Sequence, residues 1–281
     1  MKLEQAFFKQ LDEAEANILK TYERWLSLYF KKLPWRKIER FKKGSFRIEK
    51  VGMVDELIPR PDEKKLAKLL AGHGAKMVAI GVAHGEQIIK ALHRRHDKKK
   101  MAEYPEFDFD YTADPRLIPV QAVEAMEKRA MVLAGNVGSD ITGAVKKIVI
   151  SHMVEVSRKE AEEQIADMLK ANRDRGSLIV TTETTYAYNR GRLASFAEHE
   201  VDHIQFSSVM DARTSVQCRT RHGLIMAMDD PRLAANTPPL HGRCRSVLVP
   251  VYGSYQPELL TPKSINWDEV APLPKGWGKA A

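Results

Sequence analysis

Two cysteines and two histidines near one end of the chain are the residues best suited to chemistry. Cys218 and His222 lie four apart, and His241 and Cys244 lie three apart. Read as C-x3-H followed by H-x2-C, they offer four zinc-type ligands in two knuckles, because thiolate and imidazole are donors zinc prefers. The spacing is not that of the common zinc fingers. The same four residues also suit a bland arrangement, two buried thiols and a histidine bonded to a loop carbonyl. A hydrolase reading sets zinc on Cys218, His222, His241 and Cys244 with Glu183 as general base, aided by Asp211 or His241. A structural reading places Glu183, Asn189, Asp211 and Arg213 in a polar network tying a helix to a sheet, with Glu183 paired to a basic residue such as Arg213.

Other catalytic signatures are missing. The chain has no G-x-x-x-x-G-K-[ST] phosphate loop and no G-x-S-x-G elbow, which argues against an ATP-driven motor and a serine hydrolase. His73, His84, His93, His96 and His152 show no H-E-x-x-H spacing, so they read as packing or surface residues.

Helices must position these groups. Leu3, Phe7, Leu11, Ala14, Ile18, Tyr22, Trp25 and Tyr29 recur at steps of three and four, which puts them on one helical face until Pro34 interrupts. Asp62 is expected to cap a helix from Glu63 to about His93, with a break near Gly72 or Gly81. A further helix is expected over Val120–Val149, soft around 135–143. Ser157 to Glu160 forms a capping-box pattern before a helix over Ala161–Asn172, and another is expected from Thr181 or Thr182 to His199. Short apolar runs at 204–209, 224–228 and 245–251 read as strands. The expected fold is α+β, with a mostly helical N-terminal part and C-terminal helices packed on a small antiparallel sheet. Three regions are expected: a basic helical region 1–110, a second domain 111–253, and an extended Pro/Trp tail 254–281. The shift from the basic run at 94–100 to the acidic, aromatic stretch after it marks the first boundary.

Composition sets the class. The chain has 281 residues, 43% hydrophobic and 29% charged, as in ordinary soluble domains. No run approaches ~18 consecutive apolar residues, so no membrane partner is expected. The first twenty residues carry acids and lack a continuous apolar run, unlike a signal peptide. Two cysteines do not make a disulfide scaffold, and folding in a reducing cytoplasm is expected. The net charge of +8 is uneven. Residues 1–100 hold 24 Lys/Arg against 13 Asp/Glu. Such asymmetry favours a polyanionic partner or an acidic protein surface. The candidate contacts are Lys31, Lys32, Arg36, Lys37, Arg40, Lys42 and Lys43, with Arg94, Arg95, Lys98, Lys99 and Lys100. Trp35, Phe41 and Phe46 interleave with the first group, either to stack bases or to pack inward.

The motifs Thr182–Arg192 (TETTYAYNRGR), Asp211–Cys218 (DARTSVQC), Arg221–Gly223 (RHG) and Pro238–Val251 (PPLHGRCRSVLVPV), in this order, resemble the phage Mu F-like minor head proteins, or head morphogenesis proteins. The resemblance runs from about Pro115 to Val251 and is strongest from Thr182. In that family the region often reads D-x-R-T-C-x-x-C…L-H-x-x-C-R-C. Cys218, His241 and Cys244 match, whereas Ser215 stands at the first cysteine and Ser246 at the last. The resemblance implies a non-enzymatic minor head protein of a tailed phage or prophage, acting in head assembly at the portal. Its implied partners are the portal protein, capsid or scaffold proteins and packaged double-stranded DNA, bound non-specifically. It implies a place in the virion, after assembly in the host cytoplasm. No cofactor is expected beyond a structural zinc. The zinc-dependent hydrolase is the rival reading, and a free-standing DNA regulator would need a reading helix that the chain does not display.

Overall fold

Pro34 divides the first helical stretch, since it lacks an N–H and its ring fixes φ. Helix α1 spans Lys2–Lys31, and α2 spans Trp35–Lys43. The computed structural model describes residues 2–43, 53–97, 119–251, 266, 269 and 271–274, with side chains from Lys9 onward except at 41, 43 and 93–97. The acidic stretch after the basic run, Phe46 and most of the Pro/Trp tail lie outside these residues. So do Lys98, Lys99 and Lys100, and the side chains of Lys43, Arg94 and Arg95.

Helix α3 spans Val54–Leu57, α4 Glu63–Asp97, α5 Val120–Val154 and α6 Arg158–Glu198. Two caps were legible in the sequence. The Lys65 N–H donates to Asp62 Oδ1 at 2.9 Å, at the start of α4. Ser157 and Glu160 bond reciprocally at the start of α6, at 2.8 and 3.2 Å, which satisfies two otherwise orphaned N–H groups.

The three long helices are less interrupted than expected. No break occurs at Gly72 or Gly81 in α4, α5 runs through 135–143, and the two helices expected between Ala161 and His199 are one, α6. A helical glycine costs ~1 kcal/mol by propensity, and packing of neighbouring side chains outweighs that. Asn172, where the first of the two helices was expected to end, turns its amide back to the Met168 carbonyl at 2.9 Å and stays within the helix.

Strand β1 is His203–Ser207, helix α7 Val216–Arg221, β2 Ile225–Ala227, α8 Leu233–Asn236 and β3 Val247–Val251. The strands form an antiparallel sheet in the order β2-β1-β3, with Ile204 opposite Met226 and Phe206 opposite Leu248. Ile204 and Phe206 are buried while His203, Gln205 and Ser207 are half-buried, the alternation of a sheet covered on one face. The α+β class and the small antiparallel sheet are as expected.

The chain forms two compact units. One comprises residues 14–72 and 127–180. Its core gathers Tyr22, Trp25, Leu26, Ile38, Leu66, Ile141, Val145 and Val149, each fully buried side chain contributing ~1.5–3 kcal/mol. The Trp25 indole N–H donates to the Asp62 carbonyl at 2.9 Å. Helix α2 packs here through Ile38. Trp35 meets the His152 ring edge-on, at 5.9 Å between centroids, and takes the Arg158 guanidinium over its face. The inward packing of this aromatic leaves Lys31, Lys32, Arg36, Lys37 and Arg40 exposed. Lys42 instead donates to the Val156 carbonyl at 3.2 Å.

The other unit comprises residues 1–13, 73–126 and 181–281. Its core joins Ile89, Phe196, Ile204, Phe206, Leu224, Met226, Leu240 and Leu248, with both cysteines among them. The 63–92 part of α4 is long and apolar enough to cross a membrane by length and composition alone. Met77, Val78, Val82 and Ile89 of that stretch are buried in the protein.

Candidate functional site

In the second unit α6 presents two faces with different work. Thr184, Tyr188, Gly191 and Ser195 recur at steps of four, three and four, which places them on the face toward α4. There His73 Nε2 bonds Thr184 Oγ1 at 2.7 Å, and His84 Nδ1 bonds the Tyr188 hydroxyl at 3.0 Å. The Arg192 guanidinium is buried, lies over the Tyr188 and Phe196 rings, and donates to the Tyr188 hydroxyl at 3.0 Å. A side chain at Gly81 would collide with the Tyr188 carbonyl, and one at Gly191 with the Val78 carbonyl. The two glycines therefore set how closely α4 and α6 approach.

The second face carries Thr182, Thr185 and Asn189, at steps of three and four, and it grips the segment before β3. Thr182 Oγ1 accepts the Arg243 N–H at 3.3 Å, and Thr185 Oγ1 donates to the Cys244 carbonyl at 2.6 Å. Asn189 donates to the Thr185 and Ser246 carbonyls and accepts the Leu248 N–H at 3.0 Å. Thr182, Thr185 and Asn189 of TETTYAYN thus hold a loop by its backbone. Asn189 was expected in a polar network tying a helix to the sheet, whereas Thr182 and Thr185, which complete the row, were not.

Cys218 approaches the same loop from α7. Ser215 caps that helix, its Oγ accepting the Cys218 N–H at 3.2 Å. The preceding turn is built on Asp211, whose carboxylate accepts the Arg213 N–H at 2.8 Å and takes the Arg245 guanidinium at 2.8 and 2.9 Å. Bonding to Arg245 holds the Asp211 carboxyl well below the usual carboxylate range. The Arg213 side chain is largely exposed and ion-pairs with Asp211 at 3.5 Å.

The R-H-G motif braces the other side. Arg221 is buried and donates to Asn236 Oδ1 at 2.6 Å and to the Ala271 carbonyl at 2.9 Å. Gly223 has φ of 87°, the left-handed region that favours glycine, and its N–H reaches the Phe206 carbonyl at 2.9 Å. His222 Nδ1 accepts the Ser208 N–H at 3.0 Å, and the Ser208 hydroxyl donates to the Cys218 carbonyl at 3.0 Å.

Three of the four proposed ligands converge. Cys218 Sγ lies 3.1 Å from His241 Nε2 and 3.6 Å from Cys244 Sγ, and all three donor atoms lie within 4.8 Å of one another. His222 is not in this group. Glu183 is buried on α6 and is likewise not among the converging donors. His241 Nδ1 donates to the Gly242 carbonyl at 2.8 Å, which directs Nε2 at the sulfur. Bonding from the Cys244 thiol, and then from His241, draws the Cys218 thiol below its ordinary range against the opposing effect of burial. The Cys244 thiol is pushed up by its bond to Cys218 and by burial, and the bond to Cys218 raises His241. Two sulfurs ~3.7 Å apart are what tetrahedral zinc with ~2.3 Å bonds requires, so the sulfur pair is spaced for zinc, and His241 stands beside it as a third donor. Ser215 and Ser246 flank it; the Ser246 hydroxyl bonds that of Ser208 at 2.9 Å.

Residues 153–249 match the profile of the phage Mu protein F like protein family. That segment is Mu F-like. It covers about a third of the chain, from the end of α5 through α6 and the sheet to β3. No curated protein and no solved structure matches the chain significantly. The match supports the coarse reading, a bacteriophage head morphogenesis protein, and with it a place in the virion. Every hydrogen bond by which α6 grips the segment before β3 falls inside the Mu F-like segment.

Proposed function

We propose that this chain is a minor head protein of a tailed phage or prophage, which assembles at the portal and contacts packaged DNA without sequence preference. The match over 153–249 carries the reading. The architecture of that segment agrees with a structural role, because Thr185 and Asn189 spend their buried side chains on backbone carbonyls and an N–H of the loop and sheet.

The DNA contact rests on the exposed cations around Pro34. Lys31, Lys32, Arg36, Lys37 and Arg40 are exposed while Ile38 and Trp35 anchor the same turns inward. Phosphate contacts by such cations give affinity for any sequence and a steep salt dependence. Capsid, scaffold and portal subunits are the proposed protein partners, met in the host cytoplasm during assembly.

The test is binding of the full chain to a random-sequence duplex across a salt series. Each phosphate contact contributes ~0.9 to the slope of log K against log salt. Replacing the five cations by alanine should lower the slope by up to about 4.5 by that rule and weaken all sequences alike. An unchanged slope rejects the assignment to this surface. Native mass spectrometry with the candidate portal ring tests the assembly arm.

A zinc-dependent hydrolase is the second reading, favoured by the convergence of Cys218, His241 and Cys244. Zinc held there would leave a fourth position for water and activate it. Stoichiometric zinc together with hydrolytic activity that Glu183→Gln abolishes would favour it over the head-protein reading.

A further inference from the structure

The sulfurs of Cys218 and Cys244 are in contact at 3.6 Å, both buried and both free thiols. A disulfide requires ~2.05 Å between sulfurs, so closure asks for roughly 1.5 Å of approach. The backbone on each side is fixed by independent bonds. The Cys218 N–H is held by Ser215 and its carbonyl by Ser208, while the Cys244 carbonyl is held by Thr185. His241, in contact with the Cys218 sulfur, is half-buried rather than buried.

We propose that Cys218 and Cys244 form an oxidisable dithiol that closes to a disulfide once reducing conditions end, stapling α7 to the loop before β3. The timing rests on the head-protein reading, in which the chain folds in a reducing cytoplasm and later leaves it in a particle. The chemistry does not rest on that reading.

With hydrogen peroxide the electrons balance in two steps. The Cys218 sulfur, the one touching His241, attacks one peroxide oxygen. The O–O bond breaks, the thiol proton goes to the departing oxygen, and water leaves with Cys218 as a sulfenic acid. The Cys244 sulfur then attacks the Cys218 sulfur. The S–S bond forms, the S–O bond breaks, and the hydroxyl leaves with the Cys244 proton as a second water. Two thiols are oxidised by two electrons and one peroxide is reduced.

The experiment uses the full chain, reduced and kept in EDTA so that no metal occupies the sulfurs. It is treated with peroxide, denatured, alkylated and weighed intact. The expected product is about 2 Da lighter than the reduced chain, carries no alkyl group, and reverts with dithiothreitol. Proteolysis should return one linked peptide pair containing Cys218 and Cys244. The thermal midpoint should rise by roughly 5–10 °C, because the staple shortens the unfolded chain's reach. Cys218→Ser and Cys244→Ser should each lose the 2 Da change. The peptide map keeps the proposal testable if those variants fold poorly. Two alkylated cysteines after peroxide overturn it, as do added oxygens without the mass loss, or a lowered midpoint in the linked product. None of these readouts involves DNA or a portal, so failure here and failure of the head-protein reading are separable.

Discussion

Asn189 on α6 accepts the N–H of Leu248 on β3 at 3.0 Å. Strand β3 is an edge of the sheet, so this N–H would otherwise lie unpaired within the core. The same amide donates to the Thr185 and Ser246 carbonyls. One side chain thus closes an edge, fixes a loop and joins both to the helix. Asn189→Ala leaves a buried donor and an acceptor without partners, at ~1–3 kcal/mol each. Urea denaturation should show a loss of about 2–6 kcal/mol by that measure. A loss under ~0.5 kcal/mol, the range of neutral surface changes, would show that the contact does not hold the edge.

Glycines in the long helices do not all serve the same end. Gly81 and Gly191 each face a backbone carbonyl of the opposing helix, so alanine there must push α4 and α6 apart. Gly191→Ala should cost at least the ~1–3 kcal/mol of core overpacking. Gly135 has nothing near the place of a side chain, and Gly135→Ala should stabilise by ~0.5–1 kcal/mol through helix propensity. Thermal melts of the two variants should move in opposite directions. Movement the same way would sink the distinction.

That contrast explains what the sequence could reveal. The buried face of α1, the caps at Asp62 and Ser157 and the three strands follow local rules, and each stands where those rules put it. Continuity of α4, α5 and α6 does not, because the cost of a glycine is local and its compensation comes from packing distant in sequence. The candidate site divides in the same way. Cys218, His241 and Cys244 were legible as donors, but which donors meet depends on loops held by Thr182, Thr185 and Asn189. His222 has the right side chain and spacing, yet its ring nitrogen faces the Ser208 N–H. Arg192 and Arg221 carry no local pattern that marks them for burial, yet they are among the largest fully buried side chains.

Two buried histidines make stability depend on pH. Burial pushes His73 down to about 4, with Lys76 adding to it, and pushes His84 down to about 3, with Arg192 adding to it. Both are neutral in the folded chain near neutral pH and bond Thr184 and Tyr188. Unfolding releases them to an ordinary value near 6.5. Below that value the unfolded chain binds more protons, so stability falls as pH falls from about 6.5 toward 4. Above it the contribution is complete. Each histidine withdraws up to ~1.4 kcal/mol per pH unit, so the pair removes on the order of 5 kcal/mol between pH 6.5 and 4.5. The Asp211 carboxyl, held low by Arg245, loses its contribution only at lower pH, below the ordinary carboxylate value. Urea titrations at pH 7 and 4.5 on the wild type and on the double variant His73→Gln, His84→Gln separate these effects. The variant should start less stable and lose much less on acidification. Equal losses in the two proteins would remove the histidines as the cause.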